Sequence, residues 1–353
     1  MEQSTEATTP KLGTVRRKPL SAAAANSVQM TMLPGCGELP LVITPQAPGM
    51  RLVDWAAAHR QMIEDKVLQH GAVLFRTFDL NSIEEFEQGV IAISGGILEY
   101  RFRASPRTQV GPHVYTATDY PAAQSIFPHN EHSYSPICPL HLYFYCERPA
   151  ETGGETPLGD GRCITRAIDE RVRERFIRKK IRYVRNYGFG FGLPWQTAFQ
   201  TTDKSEVECY CWEAGIEVEW KPGDRLCTRQ IGPAVVKHPR TGEAIWFNHA
   251  TFFHITTLPQ AISDVLLAEF DEAELPQNTY YGDGSRIELS VLEHLREVYQ
   301  QATVVFPWQC GDVLLVDNVL TVHARQPFTG QRRVLVAMAE AFRSLDLDIA
   351  GSM

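Results

Sequence analysis

The sequence predicts a mixed α/β fold, mainly β: a β-sandwich or jelly roll with helical insertions. Short apolar strand patterns bracket the region that carries the candidate chemistry, with amphipathic helical patterns between them. No GxGxxG or Walker pattern follows a strand, which argues against a nucleotide-binding fold. The 353 residues suffice for one large or two modest domains, and no internal repeat is visible. The reading adopted is a disordered tail over 1–35 and a single domain over 36–345.

The tail assignment rests on a segment rich in Ser, Thr, Ala and Pro, in which Glu2 and Glu6 count against a transit peptide despite Arg16, Arg17 and Lys18. Asp54–His70 has helical periodicity, and Gly71–Phe78 is an apolar run of strand length. Ser82 and Glu85 have the spacing of a capping box at the start of a second helix. The polar, Pro-punctuated stretch 101–128 reads as loop, and Leu142–Cys146 as a strand closed by Pro149. Thr165–Lys180 is a charged amphipathic helix, Ile181–Tyr187 a strand, and Ala234–Phe247 a hairpin turning near Pro239–Gly242. Ile262–Phe270 and Arg286–Gln301 read as helices, Gly311–Val316 and Arg333–Met338 as strands.

Bulk properties exclude several classes. A net charge of -8 argues against general nucleic-acid or anionic-membrane binding, though not against a local basic pocket. No apolar run reaches the roughly eighteen residues of a membrane span. The eight cysteines include no CxxC pair, so they read as reduced thiols of a cytoplasmic protein. Cys209 and Cys211, placed on a strand, would share a face.

The chemistry concentrates in His129-Asn130-Glu131 and in the segment Asp317–Arg325, which contains His323. On an extended segment His129 and Glu131 point the same way, while Asn130 and His132 point the other. Two imidazoles and one carboxylate hold Fe(II) on one face and leave the opposite face open; they also suit catalytic zinc, although HExxH is absent. Taken alone, His-x-Glu is a weak signal that a surface histidine beside an acid also satisfies. Asp317-Asn318 supplies turn chemistry ahead of His323. Gly153-Gly154 permits a tight bend that places the Thr156 hydroxyl at the start of an extended segment. Arg333, on the final strand, offers a bidentate guanidinium, with Arg332 facing away. Thr156 and Arg333 together would clamp one end of a dicarboxylate co-substrate.

With these residues in view, the chain resembles the TauD/TfdA superfamily of Fe(II)/2-oxoglutarate-dependent dioxygenases, and more closely its SyrP-like branch. The resemblance is carried by Phe127–Tyr134, Gly153–Pro157, Asp160-Gly-Arg162, Trp246-Phe-Asn248, Asn278–Gly284, Trp308–Asp312, Asp317–His323, Arg325, Pro327-Phe328, Gly330 and Arg333, and spans roughly residues 38–342. It implies a double-stranded β-helix, a cupin-like jelly roll, with His129, Glu131 and His323 on iron and Thr156 and Arg333 on the distal carboxylate of 2-oxoglutarate. Two positions depart from the pattern. Glu131 stands where taurine dioxygenase has Asp, and Ala324 stands where the branch commonly has Gly. The arginine that taurine dioxygenase directs at a sulfonate corresponds to Ala337, which argues against taurine as substrate.

The implied reaction consumes O2 and 2-oxoglutarate, releases succinate and CO2, and oxidises an unactivated C–H bond of an amino acid or amino-acid-derived natural-product intermediate, free or on a carrier protein. Related halogenases lack the carboxylate ligand, so Glu131 favours hydroxylation, with β-hydroxylation the branch's association and desaturation or ring closure the alternative outcomes. Arg107, Asn248 and Arg325 are the candidate substrate anchors. Their bland alternatives are a loop cap, a backbone contact and a pairing of Arg325 with Asp317. A cupin-like metal-binding module without turnover remains the rival class.

Overall fold

A computed structural model describes residues 27–99, 107–118, 120–188, 190 and 192–349. A seven-stranded sheet runs, in spatial order, Val28–Met32, Leu41–Pro45, Ala72–Phe75, Val313–Asp317, Ile137–Arg148, Arg333–Arg343 and Tyr115–Thr116. A four-stranded sheet of Thr303–Val304, Leu158–Asp160, Thr321–Arg325 and Ile126–His129 accompanies it. These are the two walls of the jelly roll. Strand alternation divides the large sheet cleanly. Leu74, Leu142, Phe144, Leu314, Val316, Val334 and Val336 cluster with Leu158, Phe306 and Trp308 inside the roll. Val73, Phe75, Tyr143, Leu315, Leu335 and Ala337 point outward, under the helices Leu52–His70 and Ile83–Ser94. Both faces of the central strands are therefore buried, and they read as continuous apolar runs.

An insertion supplies a second core. Glu217–Lys221, Arg225–Gly232, Ile181–Tyr187 and Gln277–Tyr281 form an antiparallel sheet packed with the helices Glu170–Lys179 and Leu289–Gln301. Local chemistry explains most boundaries. Ser82 accepts from the Glu85 amide at 3.2 Å, while the Glu85 carboxylate reaches back to the Asn81 amide at 2.8 Å, a capping box displaced by one residue.

Three expectations are corrected. The charged helix expected over 165–180 is two, Gly161–Ala167 and Glu170–Lys179, because Asp169 caps the amides of Arg171 and Val172 and restarts the helix. Cys209 and Cys211 lie on the helix Lys204–Glu213, not a strand, so one is exposed and the other buried. The tail assigned to 1–35 is too long: Val28–Met32 pairs along its length with Leu41–Pro45. Residues 1–26 lie outside the described residues. Among the described residues no helix is long and apolar enough to cross a membrane.

Candidate metal centre and co-substrate pocket

His129 ends the strand Ile126–His129, and His323 is its direct cross-strand partner, which puts both imidazoles on one face of the small sheet. Their ring centres are 4.4 Å apart. Glu131 follows two residues after His129, its Oε2 lying 3.9 Å from His129 Nε2 and 3.7 Å from His323 Nε2. One donor atom from each of the three falls within a 4.8 Å span.

The hydrogen bonding and burial set the protonation of this cluster. His129 Nδ1 lies 2.9 Å from the Phe127 carbonyl, which can only accept, so Nδ1 carries the hydrogen and the Nε2 lone pair faces Glu131. A face-to-face stack with Phe252 at 4.4 Å fixes the ring. Burial pushes the basicity of His129 and His323 down and keeps both neutral. Burial alone would raise the Glu131 carboxyl, but the Arg107 guanidinium at 3.0 Å holds it well below the usual carboxylate range. The His129 lone pair directed at an ionised carboxylate, with the His323 imidazole beside it, calls for a cation between them, and the donor set fits a divalent iron.

His132 departs from its expected direction. A left-handed backbone, φ 58°, turns it back until Nε2 is 3.5 Å from Glu131 Oε1. It flanks the carboxylate outside the three-residue cluster, and burial lowers it to about 4.

A pocket opens beside the cluster, lined by His129, His323, Arg107, Thr156, Phe144 and Arg332 among others. Gly153 and Gly154 adopt φ of 68° and 73°, as the Gly-Gly bend requires, and the turn delivers Thr156 to the pocket wall, where its hydroxyl accepts from Trp308 Nε1 at 3.1 Å. The arginine beside it is Arg332. Its Nε donates to the Gly154 carbonyl at 2.7 Å, a second nitrogen lies 3.5 Å from Thr156 Oγ1, and burial lowers its pKa to about 10. Arg333, expected in that place, is half exposed and paired with Glu147 at 2.9 Å. Alternation is the reason: Arg332 shares the parity of Val334 and Val336, which face the interior, and Arg333 that of Leu335, which faces out. Recounted from Arg332, the position four residues on is Val336, still buried and apolar.

The three substrate candidates separate. Arg107 lines the pocket and touches Glu131. Arg325 lines it too, but its guanidinium donates to the carbonyls of Tyr120, Pro121 and Gln124 at 2.6–2.9 Å rather than pairing with Asp317. Asn248 is absent from the pocket wall; its side chain bridges the Ala234 carbonyl and the Ala250 amide. Sequence reasoning missed Arg332, Trp308 and Phe252 as contributors to the site.

Fold and site together define a class: jelly-roll oxygenases that use non-haem iron and a 2-oxo acid. Within it, the chain belongs to the family described as taurine catabolism dioxygenase TauD, TfdA family, which it matches over residues 38–339. It is 40% identical over 278 residues to the dapdiamide synthesis protein DdaC of Enterobacter agglomerans, covering 79% of this chain and 84% of that one. It is 29% identical over 296 residues to a clavaminate synthase-like protein of Arabidopsis thaliana, covering 80% and 85%. Among solved structures, PvcB of Pseudomonas aeruginosa superposes with a TM-score of 0.55 at 17% identity, covering 92% of this chain and 96% of PvcB. The chain is an Fe(II)/2-oxoglutarate-dependent dioxygenase, with O2 as the second co-substrate.

Proposed function

We propose that the enzyme hydroxylates an unactivated C–H bond, at the β-carbon, of an amino acid or amino-acid-derived natural-product intermediate. The observation that carries the site assignment is the convergence of His129, Glu131 and His323 next to Thr156 and Arg332. In this reading His129, Glu131 and His323 would hold the iron. When bound, the iron supplies dioxygen activation coupled to decarboxylation of 2-oxoglutarate to succinate and CO2. Thr156 and Arg332 take the distal carboxylate, the guanidinium as a charge-assisted donor. Phe144 and Ile126 exclude water from the reacting face, and Arg107 orients the substrate. Kinship with a protein of dapdiamide synthesis supports a substrate of amino-acid origin.

Anaerobic addition of Fe(II) and 2-oxoglutarate should produce the visible charge-transfer band of the chelate. Succinate release should then depend on one class in a panel of amino acids, offered free and as carrier-protein thioesters. A product heavier by one oxygen supports hydroxylation; loss of two hydrogens means desaturation or ring closure. Iron binding without a band sinks the co-substrate reading.

A further inference from the structure

The pocket accounts for the ends of the ligand side chains but not for how Glu131, which lies beyond the end of its strand, is held in place. The answer lies in a buried chain of side chains that lines no part of the pocket. Asn318 Oδ1 accepts from the Glu131 amide at 2.7 Å, and its Nδ2 donates to the Glu131 carbonyl and the Pro139 carbonyl, each at 2.9 Å. In return Asn130 Nδ2 donates to the Asn318 carbonyl at 2.6 Å. The peptide carrying one ligand and the turn leading to His323 are thus laced together. The turn is held by Asp317, whose Oδ1 accepts from the amides of Val319 and Leu320, both at 2.9 Å. Its other oxygen lies 2.8 Å from His238 Nε2. His238 sits in the turn of the hairpin formed by Val235–Lys237 and Ala244–Trp246. Its Nδ1 accepts from the Thr241 amide at 3.0 Å, so Nε2 carries the hydrogen and donates to Asp317. Asn130, Asp317 and Asn318 are fully buried and His238 is 1% exposed.

We propose that His238, Asp317 and Asn318 are positioning residues for the metal centre, a relay from a remote hairpin that sets where Glu131 stands relative to His129 and His323. The proposal rests on the metal reading of the site. A carboxylate displaced by a fraction of an ångström loses metal affinity even where the fold survives, and partners behind a ligand are commonly worth 10–100-fold in affinity.

The test measures Co(II) affinity by titration of the metal-free protein, with thermal unfolding of the same samples. Asn318→Asp keeps the acceptor for the Glu131 amide and removes both donated bonds. It should weaken Co(II) binding about 10–100-fold and alter the ligand-field spectrum of bound cobalt. His238→Leu should weaken binding in the same direction, and His238→Gln, whose amide can still donate to Asp317, should restore most of it. Unchanged Co(II) affinity and spectrum in variants that merely unfold earlier would overturn the proposal, because a purely structural role moves stability alone. If Asn318→Asp does not fold, the Leu–Gln comparison at His238 decides by the same criterion. Failure of the wild-type chain to bind Co(II) is a different result and strikes the metal reading itself.

Discussion

Arg332 and Arg333 are adjacent, chemically identical and separated in role by the alternation of one strand. Arg332 stands beside Thr156 inside the roll, while Arg333 pairs with Glu147 on the outside. A charge-assisted contact to a carboxylate contributes about 1.5–3 kcal/mol. Arg332→Ala is therefore expected to raise the 2-oxoglutarate concentration needed for half-maximal chelate-band formation about 10–100-fold. Arg333→Ala should leave it within about twofold, since an exposed ion pair contributes at most about 1 kcal/mol to stability and nothing to the pocket. The opposite ranking would return the clamp to Arg333. The sequence could not separate the pair, because Val334 to Ala339 are apolar on both faces and neither parity announces itself as interior. The two histidines and Glu131 were legible because their residue types carry the chemistry themselves. Asn318 and His238 were not, since each acts through a contact more than seventy residues distant. A second cluster, Glu64, His141 and Glu340, also has ligand-like chemistry. Arg240 bridges both of its carboxylates, so it reads as an internally compensated brace between helix, sheet and hairpin.

Elements were legible where local chemistry decides them, and missed where it competes with a longer pattern. The capping serine of Ile83–Ser94 and the Gly-Gly bend fall where the sequence puts them, whereas Asp169 interrupts an amphipathic pattern that continues across it. The bend is the element on which the proposed co-substrate pocket depends. A Cβ at Gly153 would stand 2.1 Å from the Pro327 carbonyl oxygen, a backbone atom that cannot yield without moving the strand Phe328–Thr329. At Gly154 it would stand 2.9 Å from Arg332 Cδ, part of a longer and more pliable side chain. Both residues also have positive φ, where an alanine is strained. Gly153→Ala should cost fold stability, read as an earlier denaturation midpoint. Gly154→Ala should cost less stability but weaken 2-oxoglutarate binding by displacing Arg332. Equal stability losses with intact 2-oxoglutarate binding in both variants would show that the turn does not seat the clamp. Ser82, which lines no part of the pocket, caps a helix, and Ser82→Ala should cost about 1 kcal/mol without touching co-substrate affinity.

At the scale of the whole molecule, the jelly roll buries basic groups in order to present them neutral. Burial lowers His129, His249 and His323, and takes His132 and His254 to about 4. In the unfolded chain each regains an ordinary pKa near 6.5. Below that value the unfolded state binds more protons than the folded one, so stability must rise with pH and fall as pH drops. The stabilisation is complete above about pH 7 and erodes between about 6.5 and 4, where His132 and His254 begin to protonate in the fold as well. A single histidine shifted from 6.5 to about 4 contributes on the order of 2 kcal/mol of this loss at pH 5. Glu131 adds to the trend only at still lower pH, because its depressed carboxyl loses its advantage once unfolded glutamates protonate. Urea denaturation of the metal-free protein at pH 7.5, 6.5, 5.5 and 4.5 should therefore show a midpoint that falls at each step below 6.5. His254→Gln, outside both the three-residue cluster and the pocket wall, should flatten part of that slope while leaving Co(II) affinity unchanged at pH 7.5. A midpoint independent of pH across this window would mean that the buried imidazoles take up protons as readily in the fold as in the unfolded chain, and the neutral ligand set drawn for the metal centre would have to be abandoned.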